Sequence, residues 1–383
     1  MSGFIGAVGY NVLLLDASFS ALPLYEALRE MGATVWVVGN RPGDALAQAF
    51  PDFWIQADYS DAIIIAEIVK EYGITNIVPG CTDVSMTTFS RLQWNEVYKY
   101  DIQIDSCINK KDRFREICAQ LSLPAPRAIQ PDNLPQYGRF ICKPVDGFSG
   151  VGISCFDAGD KEALMQALQL ARQSSPSGKV VCESFIEGQL YSYSVFLHNQ
   201  SVKHAFFVKE GSRYEPYSVD VSYVAQAEMV PGNKVLTNAV ERLARALNLC
   251  DGLLHVQFIS SIDGPQIVEV TRRCPGDLYA RLIEESTGFP YAMHYVAAFL
   301  GRECAVQVLR PKFVLRHTCK QLANTVFRQL DLPFSLQSSI QIVPLRMPGE
   351  YISGVGYQRT AVLFSKLNSL MELQSAYCCL TQI

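Results

Sequence analysis

Lys143-Pro144-Val145-Asp146-Gly147-Phe148-Ser149-Gly150-Val151-Gly152 is the stretch on which the reading of the fold turns. Apolar runs at 140–143 and 151–156 flank it, so a lysine stands at a strand end and glycines occupy the turn to the next strand. Glycines let backbone N–H groups converge on an anion, and the lysine adds a point charge. The Walker A pattern, G-x-x-x-x-G-K-S/T at a strand-to-helix turn, does not occur in the chain. By itself the segment also fits an ordinary glycine-rich hairpin.

Downstream come a helical pattern at 161–173, a Ser/Pro/Gly linker at 174–178, and Val180-Val181-Cys182-Glu183-Ser184-Phe185-Ile186-Glu187-Gly188. A strand that ends in a carboxylate and continues as exposed backbone to a glycine can grip an adenine by its edge. Its amides offer donors and acceptors alternately, as strand edges do for peptides. The runs 191–197 and 205–208, separated by His198-Asn199-Gln200, read as antiparallel strands.

Leu253-Leu254-His255-Val256-Gln257-Phe258-Ile259 and Gln266-Ile267-Val268-Glu269-Val270-Thr271-Arg272-Arg273 are alternating runs joined through Asp263-Gly264, a hairpin signal. A turn centred on Asp263 sets Gln257 opposite Glu269, and the period of two adds His255, Thr271 and Arg273 to the same face. The other face (Val256, Phe258, Val268, Val270) is apolar, so the polar row belongs in a cleft. Hard oxygen ligands beside a cation suit Mg²⁺ on a polyphosphate. A solvated sheet face with an incidental Glu–Arg pair is the alternative.

Towards the N-terminus, apolar runs at 12–15, 35–38 and 74–78 alternate with helical patterns at 22–31 and 63–72, which predicts a parallel sheet covered by helices. The turn at 16–20 lacks G-x-G-x-x-G, so this layer is Rossmann-like without a dinucleotide fingerprint. Ligands sit at the carboxyl ends of parallel strands, so Asp83, in the loop after 74–78, is a candidate for substrate contact or a helix cap. A second unit starts near Lys110-Lys111, with a charged helix to Leu121 that ends before Pro124. In the run 209–217, Arg213 is a candidate clamp for a substrate carboxylate, or part of a solvated loop. Residues 301–383 show strand-like stretches at 313–317, 340–343 and 360–364 and read as a lid or buttress.

With 383 residues, 49% hydrophobic and 18% charged, the chain predicts two or three packed units around a large cleft. A net charge of -4 supplies no basic excess for a nucleic-acid backbone. Twelve cysteines without C-x-x-C pairs read as reduced thiols. The N-terminal apolar run stops at Asp16, far short of the ~20 residues of a membrane span, so neither export nor membrane attachment is expected, and the location expected is cytoplasmic.

The order of these segments resembles the ATP-grasp superfamily, which includes biotin carboxylase, the D-alanine ligases, purine-pathway carboxylases and L-amino-acid ligases. The resemblance runs from about residue 11 to residue 300. It implies an α/β and α+β multidomain protein. A Rossmann-like pre-ATP-grasp domain (1–105) would precede an ATP-grasp domain (106–300, divided at 180/181) and a small C-terminal β-rich domain (301–383). It further implies that Lys111 and Lys143 hold ATP phosphates, with Ser149, Gly150 and Gly152 closing over them. Glu183, Phe185, Ile186 and Gln189 would receive adenine and ribose. Glu269, with Gln257 and Thr271, would hold Mg²⁺ or Mn²⁺, and Arg273 with Lys143 would act on the transferred phosphoryl group.

The chain departs from the family pattern where it has Gln257 for a second glutamate, Thr271 for an asparagine and Leu190 for a ribose-contacting glutamate. The activity implied is ADP-forming ligation of a small-molecule carboxylate to an amine through an acyl phosphate. A bicarbonate-using carboxylase and an ATP-binding protein without turnover are the alternatives. A homodimer follows only from analogy of fold.

Overall fold

The computed structural model describes residues 9–92, 98–147, 150–305, 311–330 and 339–381, so Ser149 lies outside the described residues. The first sheet is parallel and contains β1 (Asn11–Leu15), β2 (Thr34–Gly39), β3 (Trp54–Gln56) and β4 (Asn76–Pro79), in the order β3-β2-β1-β4. Helices Leu22–Glu30 and Ala62–Glu71 connect its strands. Residues 12–15 are solvent-free, as expected of a strand with helices on both faces.

The carboxyl ends of β1 and β4 are tied together. Asp16 accepts the N–H groups of Ser18 (2.8 Å) and Cys81 (2.9 Å). A Cβ on Gly80 would lie 2.1 Å from that of Asp16, so only glycine allows this approach. The loop that carries Asp83 is thereby fixed at the strand ends.

The second sheet is antiparallel, with β5 (Ala128–Ile129), β6 (Arg139–Pro144), β7 (Ser154–Asp157) and β8 (Val180–Ser184) in the order β5-β8-β6-β7. Helix Lys161–Gln173 covers it through a small core of Phe140, Phe156, Cys142, Cys182, Ala167 and Ala171.

The remaining strands are β9 (Gln189–His198), β10 (Ser201–Gly211), β11 (Val221–Ala225), β12 (Gly252–Ser261), β13 (Gly264–Thr271), β14 (Phe313–Leu322), β15 (Thr325–Val326), β16 (Ser339–Pro344), β17 (Tyr351–Ile352) and β18 (Tyr357–Leu367). Eight of them form one antiparallel sheet in the order β13-β12-β9-β10-β11-β14-β18-β16, while β15 and β17 pair as a separate ribbon. The residues beyond 300 therefore extend this sheet through the β11–β14 pairing. Helix Leu370–Thr381 seals the junction, packing Leu373, Tyr377 and Leu380 against Val221, Tyr223 and Leu315. Among the described residues no helix is long and apolar enough to cross a membrane.

Candidate active site

A cleft of about 2530 Å³ lies between the three sheets. A single small ligand needs roughly 300–1,000 Å³, so there is room for more than one. The cleft takes in the loop after β4, the turn after β6, the segment after β8, and one face of the eight-stranded sheet.

The wall made by the second sheet is built on a buried triad. Glu183, with no exposure, accepts from Arg115 Nε (2.6 Å) through one oxygen and from Lys143 Nζ (2.7 Å) through the other. Register explains the meeting, because Ile141 pairs with Glu183 and Lys143 with Val181 on adjacent strands. Burial would raise the Glu183 carboxyl, but the two cations outweigh it and hold its pKa below the ordinary value. Burial pulls Lys143 below the ordinary lysine value, with Glu183 opposing and Arg115 and Lys111 adding to the fall. Lys111 and Lys143 both line the cleft. Lys111 Nζ donates to the Gly147 carbonyl (2.8 Å) at the start of the glycine turn.

Gly150 and Gly152 have φ of 74° and 76°, the left-handed region that favours glycine. A Cβ on Gly152 would come within 2.4 Å of Ser174. The expectation that the Glu183 side chain reaches adenine or ribose does not fit this geometry, since both its oxygens are engaged inside the triad. Phe185 is also committed, its N–H donating to the Arg139 carbonyl (2.9 Å). The Ile186 N–H has no partner among the described residues, and Ile186 lines the cleft. Gln189 has its amide nitrogen taken by the Leu190 and Glu210 carbonyls (2.9 and 2.8 Å).

Opposite stands the hairpin. Gln257 pairs with Glu269 and His255 with Thr271, as expected. The tip is one residue tighter than a turn centred on Asp263, because Ser261 pairs with Gly264 and a bulge at Val268 restores the register. The bulge has a use, since the Val268 carbonyl accepts from Arg115 (2.7 Å) and joins the hairpin to the triad.

Glu269 is exposed to the cleft. Arg273 is gripped by Asp83 through two parallel bonds, Nε to Oδ1 at 2.8 Å and Nη2 to Oδ2 at 2.9 Å. Burial disfavours the charge on Arg273, but Asp83 outweighs it and raises the pKa. The Thr271 hydroxyl lies 3.5 Å from Asp83 and accepts the Arg273 N–H at 3.3 Å. Thr82, not Asp83, caps the helix Asp83–Leu92, accepting the Ser85 N–H at 3.1 Å. The Asp83 carboxylate is thereby committed to holding Arg273, which corrects its reading as a direct substrate contact. His255 is pushed down to about 3 by burial and by Arg273, so it is neutral.

Three residues in or behind the cleft walls escaped the sequence reading. Arg115 has a signal in hindsight, one helical turn after Lys111 and so on the same face. Glu210 lies on β10, which runs on to Gly211, so part of the segment taken for a substrate loop is strand. Glu210 is 3% exposed, and burial pushes its carboxyl up to about 7. Arg316, on β14, is 3% exposed; its Nη1 donates to the Asp277 carbonyl (3.0 Å) and its buried Nε has no partner among the described residues. Asp277 and Leu278 sit at φ 53° and 57°, a strained pair on the cleft rim. Arg213 does not line the cleft; its guanidinium packs over Tyr214, and its N–H bonds Asp220. Arg316, unlike Arg213, lines the cleft.

Residues 107–277 match the family described as the ATP-grasp domain. A phosphoribosylamine–glycine ligase of Methanocaldococcus jannaschii is 20% identical over 311 residues, which are 76% of this chain and 62% of the relative. The chain thus matches less than two thirds of that relative's length. Two solved structures share the fold across nearly the whole chain. The phosphoribosylglycinamide synthetase of Anaerococcus prevotii has a TM-score of 0.70 at 15% identity, covering 96% of both chains. The L-amino acid ligase of Bacillus licheniformis has a TM-score of 0.72 at 16% identity, covering 97% of both. The glycine turn, Lys111, Lys143 and the Glu269–Arg273 strand thus lie around one cleft in a chain whose residues 107–277 match the ATP-grasp domain family and whose multidomain α/β fold is that of these solved structures.

Proposed function

We propose that this protein is an ATP-dependent, ADP-forming ligase that joins a small-molecule carboxylate to an amine. The observation that carries this reading is that Lys111, bonded to the Gly147 carbonyl of the glycine turn, and Lys143, at the strand end that leads into it, line one cleft with Glu269 and Arg273. Lys111, Lys143 and the N–H groups of the turn bind the phosphates of ATP, and the Ile186 N–H meets the adenine edge.

The residues fit Mg²⁺, because Glu269 and Gln257 present hard oxygen atoms on one open face. Glu269 and Gln257 would hold the ion, which would supply positive charge to the bound phosphates. Arg273, kept charged and aimed by Asp83, stabilises the phosphoryl group in transfer. An oxygen of the acid forms a bond to the γ-phosphorus as the bond to the β-phosphate oxygen breaks, and ADP leaves. The amine then bonds to the acyl carbon, inorganic phosphate leaves, and the amine's proton passes to solvent. Arg316 on the far side of the cleft orients the acid.

Incubation with MgATP and paired acid and amine libraries tests the reading. ADP and phosphate released in equal amounts, and only with a particular pair, are expected. Release of AMP and pyrophosphate instead overturns it.

A further inference from the structure

Gln257 stands where a second carboxylate is expected beside Glu269, and it is neutral. On the cleft face of the eight-stranded sheet, Glu269 pairs with Gln257, Gln257 with Ser192, and Ser192 with Val208. Glu210 follows Val208 by two on β10 and so shares this face. It does not stop at its own strand. Its Oε2 accepts from Gln257 Nε2 at 2.9 Å, across β9. The residue between them is Ser192, whose short side chain leaves the path open and is anchored to Tyr279 (2.7 Å).

Among the described residues Glu210 has no ion-pair partner, although it is 3% exposed. Arg316, whose charge acts on Glu210, forms no ion pair with it and turns Nη1 to the Asp277 carbonyl instead. A buried acid held by neutral donors and open to the cleft lacks a counter-charge. With the Gln257 nitrogen committed to Glu210, its oxygen is the atom left for a cation, and Glu210, Gln257 and Glu269 make a continuous row of hard oxygens.

We propose that Glu210 supplies the second carboxylate of the divalent-cation site, taking over from the next-but-one strand the charge that Gln257 lacks. The proposal rests on the ligase reading, because it needs a nucleotide-bound divalent cation in this cleft.

The test titrates Mn²⁺ into the full-length protein with β,γ-methylene ATP, following free Mn²⁺ by electron paramagnetic resonance. Binding by the wild-type protein tests the ligase reading first, and no Mn²⁺ or nucleotide bound overturns that reading and this one together. Given binding, Glu210→Gln should weaken Mn²⁺ affinity by roughly tenfold or more. Nucleotide affinity without metal should stay unchanged. Moving the charge back, in the double variant Glu210→Gln with Gln257→Glu, should restore Mn²⁺ affinity to within about threefold. Thermal melts confirm that each variant folds. Unchanged Mn²⁺ affinity in Glu210→Gln, or a double variant as weak as the single one, overturns the assignment.

Discussion

On the wall formed by β6 and β8, two cations share one carboxylate, and both oxygens of Glu183 are answered within 2.7 Å. On the wall formed by β10 and β14, a carboxylate and a guanidinium lie equally buried, yet Glu210 has no ion pair and Arg316 Nε has no partner among the described residues. Ser222, next to both in the strand register, also keeps an unpartnered hydroxyl. The first wall answers both oxygens of its carboxylate and leaves one nitrogen of the triad, Arg115 Nη1, without a partner among the described residues, so its charges chiefly hold the shape of the site. The second leaves buried groups unanswered, a cost to stability that is kept where a ligand is to be bound. Arg115 and Arg316 are both buried guanidinium groups of the cleft walls, but one should behave as part of the fold and the other as part of the chemistry.

The sharpest way to break this contrast is to remove Glu183. Glu183→Ala leaves two buried cations without their anion, and the loss should be about 3–5 kcal/mol of folding stability, measured by urea denaturation. A loss below about 1 kcal/mol would mean that the triad is not a structural unit.

Next in size is Arg273→Ala, which should lower ATP turnover by roughly 10²–10³-fold, about 3–4 kcal/mol of transition-state stabilisation, with nucleotide affinity changed little. Asp83→Asn should give a smaller loss of the same kind, because Arg273 stays in place and loses only its bidentate clamp. Steady-state kinetics beside a nucleotide-binding titration separate the two quantities. An unchanged turnover in both variants would remove Arg273 from the reaction.

How much of this could be read from the sequence divides along the same line. The Gln257–Glu269 pairing follows from alternation and an Asp-Gly turn, because a period of two leaves few registers for a half-buried hairpin. The helix Lys161–Gln173 and the strand Val180–Ser184 follow from local pattern in the same way. The Val268 bulge does not, since its reason is Arg115, far away in sequence. Glu210 was hidden because β10 turns polar where it enters the cleft, and a polar strand end looks like a loop. Arg316 was hidden because its meaning depends on β14 pairing with β11, a contact that no periodicity predicts. The commitment of Asp83 was invisible for the same reason, as its partner lies 190 residues away.

Arg316→Met tests the second wall. Folding stability should change by less than about 1 kcal/mol, because the variant removes an unsatisfied buried guanidinium as well as its one carbonyl bond. Acid-dependent ADP release should fall by at least about tenfold, with the KM for the acid raised. A stability loss as large as that of Glu183→Ala would erase the difference between the walls.

The smallest effect is expected at Glu284, which also lines the cleft and accepts the Ala292 N–H at 2.8 Å. Burial raises its carboxyl to about 7, from an ordinary value near 4.5. A folded-state pKa above the unfolded one means that the protonated form is favoured by folding. Its contribution is therefore complete below about pH 4.5 and is lost as pH rises through about 7. Glu284→Gln keeps the acceptor oxygen and removes the titration, so it should stabilise the protein by about 1–2 kcal/mol at pH 8 and by nothing measurable at pH 4. Thermal melts of both proteins across that range read the difference directly. A gain that is the same at both pH values would assign the effect to packing, and a loss at pH 8 would show that the ionised carboxylate is needed by the fold.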